Sequence, residues 1–137
     1  MFSRVLLPVD PAGGDPAVTE TGIALADAFG AELHVLSVID RPQQRDQLRS
    51  DDESQARATV EQVSDPANAR GLSTTADVTS GDPAESIIQT IGQSDIDLVV
   101  MGTRGRTGVE RLILGSVAEE VVRESPMPVL TVPPDTE

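Results

Sequence analysis

The stretch MGTRGRTGVERLILGS, Met101 to Ser116, packs four glycines and three arginines into sixteen residues directly after the apolar run DLVVM. With one glutamate, Glu110, the window carries a formal charge of +2, in a chain whose net charge is −13. A positive, glycine-rich patch on so acidic a protein points to a guest that carries negative charge. Glycines let backbone N–H groups approach a ligand with no Cβ in the way. Gly102 falls where a strand-like run ends, beyond whose carboxyl end ligands bind in open α/β sheets. Gly115-Ser116 stands directly before a helical pattern, whose free N–H groups and positive dipole end attract phosphate. Two such turns can hold one polyphosphate between them.

The spacing excludes the common phosphate loops. A Walker A loop needs a lysine, and the chain has none. The G-x-G-x-x-G fingerprint does not fit, and no following strand carries a ribose-binding acid at the usual offset. What fits is G-x2-G-x9-G-[ST], with Gly102, Gly105, Gly115 and Ser116 in register. Taken singly, Gly102 and Gly105 are equally compatible with a plain turn, and Ser116 with an N-cap. Glu119 then completes an S-x-x-E capping box and is no catalyst. The one histidine, His34, lies inside a strand-like run, as a packed or edge residue rather than a general base.

Strand-like and helix-like segments that would position these residues alternate along the chain. RVLLPV (4–9) is a continuous apolar run of the buried-strand type. Asp15-Pro16 supplies an N-cap and a first-turn proline, and Gly30 closes the helix that follows. ELHVLSVI (32–39) is a second strand. Residues 41–54 read as a loop or a first turn. Ala56, Val60, Val63 and Ala67 then mark a helical stripe that Pro66 should kink or restart. TTADVTS (74–80) is a third strand. Asp82 and Glu85 bracket Pro83 at the head of the next helix, with Ile87, Ile88 and Ile91 on its buried side and Gly92 at its end. DIDLVVM (95–101) is a fourth strand, Ser116 to about Arg123 a helix, and VLTV (129–132) a fifth strand. This order predicts one α/β domain over residues 1–137, a parallel sheet with helices on both faces.

Composition narrows the partners. Twenty-three acidic residues stand against ten basic ones, all of them arginine. DNA and RNA binding normally needs a basic stripe, and with two phenylalanines as the only aromatics base-stacking platforms are missing too. No apolar stretch approaches the roughly 20 residues that span a bilayer, and the N-terminus reads as a strand rather than a signal peptide. Without cysteine there is no disulfide or thiolate zinc site. A cytoplasmic protein is expected, with no nucleic acid or membrane partner. The acid excess and the missing lysine point to salt adaptation, since concentrated salt screens the self-repulsion of such a surface.

At G-x2-G-x9-G-S the sequence resembles the universal stress protein family, in its ATP-binding branch. The resemblance extends to LLPVD at the first strand, LSVID at the second, GDPAESII at the third helix and PVLTV near the end. It implies a Rossmann-like, adenine nucleotide alpha hydrolase-like fold with strand order 3-2-1-4-5. It also implies ATP with Mg²⁺ or Mn²⁺ as ligand, and a homodimeric regulator of the stress response. Asp10 matches an acidic position near the ribose and the metal region, although a plain capping or solvated residue is the other reading. Val38 matches the position whose backbone meets the adenine edge. Gly102 and Gly105 would line the ribose and phosphates, and Gly115, Ser116 and Val117 would face the β- and γ-phosphates. Charge alone adds Arg104 and Arg106. PAGGD after Asp10 departs from the compact GS-like turn more usual in the family.

The metal would come with the nucleotide, near Asp10, rather than from a protein-built site. Without lysine or a base near the loop, binding without fast turnover is expected; the alternative is a slow ATP-hydrolysing or nucleotidyl-transfer enzyme of the same architecture. The fifth strand, uncharged and at the sheet edge in that order, would pair with its copy in a homodimer.

The acidic composition yields the first testable outcome. Melting temperature should rise between dilute buffer and molar KCl, each ~1 kcal/mol of relieved repulsion moving it by about 3–5 °C in a domain of this length. A flat melting temperature across that range, read by calorimetry, rejects salt adaptation.

Overall fold

Successive residues of β1 (Arg4–Val9) pack on opposite sides of one sheet. That is why its sequence is apolar without alternation: a parallel strand covered on both faces has no wet side. The computed structural model describes residues 2–40, 50–103 and 115–133. After β1 come α1 (Pro16–Phe29), β2 (Glu32–Asp40), α2 (Ser50–Ala69), β3 (Thr74–Gly81) and α3 (Pro83–Gln93). β4 (Leu98–Gly102), α4 (Ser116–Glu124) and β5 (Val129–Val132) complete the described elements. Among the described residues all pairings are parallel, and the strand order is β3-β2-β1-β4-β5. This is the expected Rossmann-like arrangement.

Two apolar layers result. Val5, Leu7, Leu33, Val35 and Val100 meet Ile23 and Ala26 of α1 and Val60, Val63 and Ala67 of α2. On the other face Leu6, Leu36, Val99 and Met101 meet Ile87 and Ile91 of α3 and Ala118 and Val121 of α4. Helix α1 comes close to β1 at Gly22, where an added Cβ would lie 2.9 Å from Leu7 Cδ1. Asp15 Oδ1 accepts from Ala17 N–H at 3.0 Å and Pro16 opens the helix. Gly30, at φ 65°, closes it in the left-handed conformation that suits glycine.

Local expectations differ from the structure at several points. Strand four begins at Leu98, not at 95, because Asp95 takes a left-handed φ of 56° and Ile96 N–H still donates to Ile91 of α3. Gly92 is not the end of α3, which runs to Gln93 with Ser94 as its cap; Asp95 makes the left-handed turn instead. Pro66 does not restart α2: one helix runs through it to Ala69. Burial of Val60, Val63 and Ala67 against the sheet offsets the hydrogen bond that proline removes. Helix α2 begins at Ser50, so residues 50–54 form its first turn, the second of the two readings; residues 41–49 lie outside the described residues.

At the amino ends of the strands, the Asp97 carboxylate accepts from Ser3 N–H at 2.8 Å and Arg4 N–H at 3.0 Å. It ties the start of β1 to the start of β4. Leu7 of β1 is fully buried against α1. Leu7→Ala should lower unfolding free energy by about 2–5 kcal/mol, the usual range for a buried leucine truncated in a close-packed core. Denaturant titration with an unchanged m-value checks it, and a loss below ~1 kcal/mol would show that the site collapses around the cavity.

Candidate functional site

The sheet opens where its central strand lets go of one neighbour. Pairing between β1 and β4 covers Val5↔Leu98 and Leu6↔Val99. Pro8, two residues on, has no N–H with which to extend that ladder. On its other side β1 stays paired with β2 as far as Val9↔Ser37, while β2 runs on against β3 to Asp40. The chain winds outward through β2 and β3, then crosses back to place β4 beside β1. This is the topological switch point at which open α/β sheets hold ligands.

A cleft of about 710 Å³ lies there, within the usual span of small-molecule sites. Leu36, Val38, Ile87 and Met101 supply apolar wall, and Asp10, Asp15 and Asp40 supply carboxylates. Gly13 and Gly14 come from the loop after β1, and Gly102, Thr103, Gly115, Ser116 and Val117 from the β4–α4 connection. Six of the nine residues singled out from sequence therefore border one cavity: Asp10, Val38, Gly102, Gly115, Ser116 and Val117. Arg104, Gly105 and Arg106 lie outside the described residues.

Each contributor is placed by local chemistry. Asp10 heads a turn in which Gly13 N–H donates to its carbonyl at 3.0 Å and Ala12 N–H to its Oδ1 at 2.8 Å. This is an Asx-type turn, which a short acidic side chain favours. Gly115 N–H donates to the Thr103 carbonyl at 2.6 Å, and Thr103 N–H to Val132 at 3.2 Å. The end of β4 and the start of α4 are thereby held together.

The start of α4 corrects the capping expectation. Gly115, not Ser116, is the N-cap; Ser116 is the first helical residue, and no side-chain hydrogen bond caps the helix. The first helical N–H to find an acceptor in α4 is that of Glu119, on Gly115 O at 2.9 Å. Those of Ser116, Val117 and Ala118 precede it and have no acceptor within the helix. A helix start that borders a cleft without a side-chain cap is suited to an anion. Gly115 has φ −67° and ψ 165°, open to any residue, so its lack of a side chain matters for access rather than for backbone shape.

Several lining residues were not singled out from sequence. Asp40 ends β2 as Asp10 follows β1, so the strand-end rule could have found it. Gln55 of α2, Pro83 of α3 and Val132 of β5 reach the cleft only through packing. Thr103 Oγ1 is buried with no hydrogen-bond partner among the described residues. His34 does not border the cleft: it is buried in β2, with Nε2 2.9 Å from Asp77 Oδ2. No group of three or more potential metal ligands occurs among the described residues. Among the same residues no helix is long and apolar enough to cross a membrane.

The sequence profile of the universal stress protein family matches residues 1–133. The chain is similar to universal stress protein MJ0531 of Methanocaldococcus jannaschii, at 29% identity over 140 residues, covering 96% of this chain and 82% of that one. Its fold is similar to the solved structure of protein MJ0577, with a TM-score of 0.78 at 24% identity over 100% of this chain and 99% of that one. A universal stress protein solved in complex with cAMP gives 0.74 at 22% identity, covering 96% and 97% of the two chains. One from Archaeoglobus fulgidus in complex with dAMP gives 0.74 at 19%, covering 95% and 97%.

Proposed function

Since the chain belongs to the universal stress protein family, we propose that its switch-point cleft binds an adenine nucleotide, ATP with Mg²⁺ or Mn²⁺, and that the protein is a homodimeric, nucleotide-dependent regulator in the cytoplasmic stress response. One observation carries the assignment. The glycine end of β4 and the N-terminus of α4, which no side chain caps, border the same nucleotide-sized cleft. Relatives of the same fold solved with cAMP and with dAMP support adenine as the base. Val38, beyond the last β1–β2 pair, would meet the adenine, with Leu36 and Ile87 as apolar cover. Gly102, Gly105, Gly115, Ser116 and Val117 would hold the phosphates, and Arg104 and Arg106 would add positive charge.

The residues present fit a metal that arrives with the nucleotide. Asp10 borders the cleft, and with Asp15 and Asp40 it makes the described wall anionic. A divalent ion would neutralise the phosphates against that wall, with Asp10 as the carboxylate nearest in role. With no lysine in the chain and His34 off the cleft, the site holds nucleotide without fast turnover; phosphoryl transfer depends on a charge clamp and a positioned base or water.

The dimer would form at β5, the edge of the sheet next to β4. Leu130 of β5 and Val122 of α4 are 40% and 44% exposed, with Met127 exposed between them in the chain. An apolar edge strand with unpaired backbone groups favours pairing with its own copy about a two-fold axis.

Two measurements test these proposals. Calorimetric titration with ATP and Mg²⁺ at high salt should show saturable binding, weakened about tenfold or more, roughly 1.4 kcal/mol, in Gly115→Val. No binding by wild type, or equal affinity in a folded Gly115→Val, overturns the site. Sedimentation at micromolar concentration should give a wild-type dimer and a Leu130→Asp monomer, since like charges then face each other across the two-fold axis. A monomeric wild type removes the dimer.

A further inference from the structure

Hydroxyls on helices usually turn back to a carbonyl of their own helix. Thr21, Ser64 and Thr90 do so here, donating to Ala17, Val60 and Ser86 at 2.7, 2.7 and 2.8 Å. Thr59 of α2 does not. Its Oγ1 donates at 2.9 Å to the carbonyl of Pro11, 48 residues earlier, and the residue is only 5% exposed. On the other side of Asp10, the fully buried Ser37 of β2 donates its Oγ to the carbonyl of Val9 at 3.1 Å. The two carbonyls that flank Asp10 in sequence are thus each held by a buried hydroxyl, from two different elements.

Such bonds have a cost as well as a benefit. A hydroxyl turned outward gives up its local acceptor, and the Pro11 carbonyl would be left under-satisfied without it. Pro11 brings no N–H of its own, so its carbonyl is the one backbone group by which this residue can be tied down. The turn beyond is closed by Gly13 N–H on Asp10 O and by Ala12 N–H on Asp10 Oδ1. With the Val9–Asp10 peptide anchored by β2 and the Pro11–Ala12 peptide by α2, the segment that carries Asp10 is fixed from outside at both ends, and the loop bonds to Asp10 O and Oδ1 complete its orientation. The PAGGD loop, with two glycines after Ala12, needs an outside anchor of this kind.

We propose that Thr59 and Ser37 are positioning residues for Asp10, orienting its carboxylate toward the ribose and metal region of a bound nucleotide. The inference rests on the nucleotide assignment above. It makes α2 part of the binding machinery, although Thr59 itself touches the loop and not the guest.

The test is a set of double-mutant cycles read by calorimetry with Mg²⁺ and ATP. Thr59→Val keeps the side-chain shape and removes the donor; it should weaken binding roughly five- to tenfold, as loss of a supporting bond behind a ligand-facing group commonly does. Thr59→Ser, which restores the hydroxyl, should return affinity to within about twofold, since only the donor is needed. Ser37→Ala supplies an independent arm with the same expected loss. In an Asp10→Ala background neither Thr59→Val nor Ser37→Ala should weaken binding further, because both act through the carboxylate. A merely structural role would instead lower the melting temperature while leaving affinity unchanged, or lower affinity equally in both backgrounds; either result overturns the proposal. Failure of wild type to bind nucleotide overturns the assignment of the cleft and this inference with it. Wild-type binding with unaltered Thr59→Val or Ser37→Ala affinity overturns the positioning role alone.

Discussion

The parting of β1 from β4 beyond Leu6 is the constraint on which the remaining features depend. A central strand in a parallel sheet normally satisfies backbone groups on both sides along its whole length, and a proline inside it is unfavourable. Pro8 is tolerated because the sheet is ending on that side, and the sheet ends there because the chain reverses its winding direction between β3 and β4. The same reversal sends α1 and α2 to one face and α3 and α4 to the other. The crevice therefore has loop walls from both halves of the molecule. Asp10 comes from one half, and Gly102 and Gly115 from the other.

A second dependence follows at α4. Most helix N-termini spend a side chain on their first N–H groups, as Asp15 does for α1 and Asp82 for α3, where Asp82 Oδ2 accepts from Glu85 N–H at 2.9 Å. Helix α4 instead begins at Gly115, whose own N–H is drawn to Thr103. All three helices border the cleft, and α4 is the one of them that starts without a side-chain cap. The apolar wall and the polar rim of the cleft then suit a guest with a flat, weakly polar end and an anionic end.

Much of this was legible in the sequence for a physical reason. A strand covered on both faces has to be apolar throughout, so RVLLPV and ELHVLSVI stand out. The stripe Ala56, Val60, Val63, Ala67 recurs at helical spacing because that side of α2 must be dry. Gly102, Gly115 and Ser116 could be placed on a common site because strand ends and helix starts are shared by rule in this architecture. What was not legible depends on long-range bonds. The pattern of Ser116 and Glu119 favours a serine cap, yet the N-cap is Gly115, whose N–H is bonded to Thr103, outside the helix. Gly92 looks like a helix end only until Asp95 is seen to take the left-handed turn. Thr59 looks like one more polar residue beside an apolar stripe; nothing near it in the chain reveals that its acceptor is Pro11. Asp40 and Gln55 reach the cleft because β2 outruns β1 and α2 lies over the loop.

The tie from Asp97 to Ser3 and Arg4 joins residues 94 and 93 positions apart, at the base of the two strands whose tops diverge. Closing so long a stretch of chain has an entropic cost that grows with its logarithm, and folding slows as such distant contacts dominate. The crevice cannot exist before this closure, since one wall belongs to each of the strands it joins. Its walls thus depend on a contact distant in sequence, whereas the β1–α1–β2 segment is built from nearer ones. A guest that bridges both walls acts on that same junction and adds to the native state stability that no partly folded form shares. In a chain whose acidic surface works against compaction, a ligand held in that crevice would offset part of the repulsion by mass action.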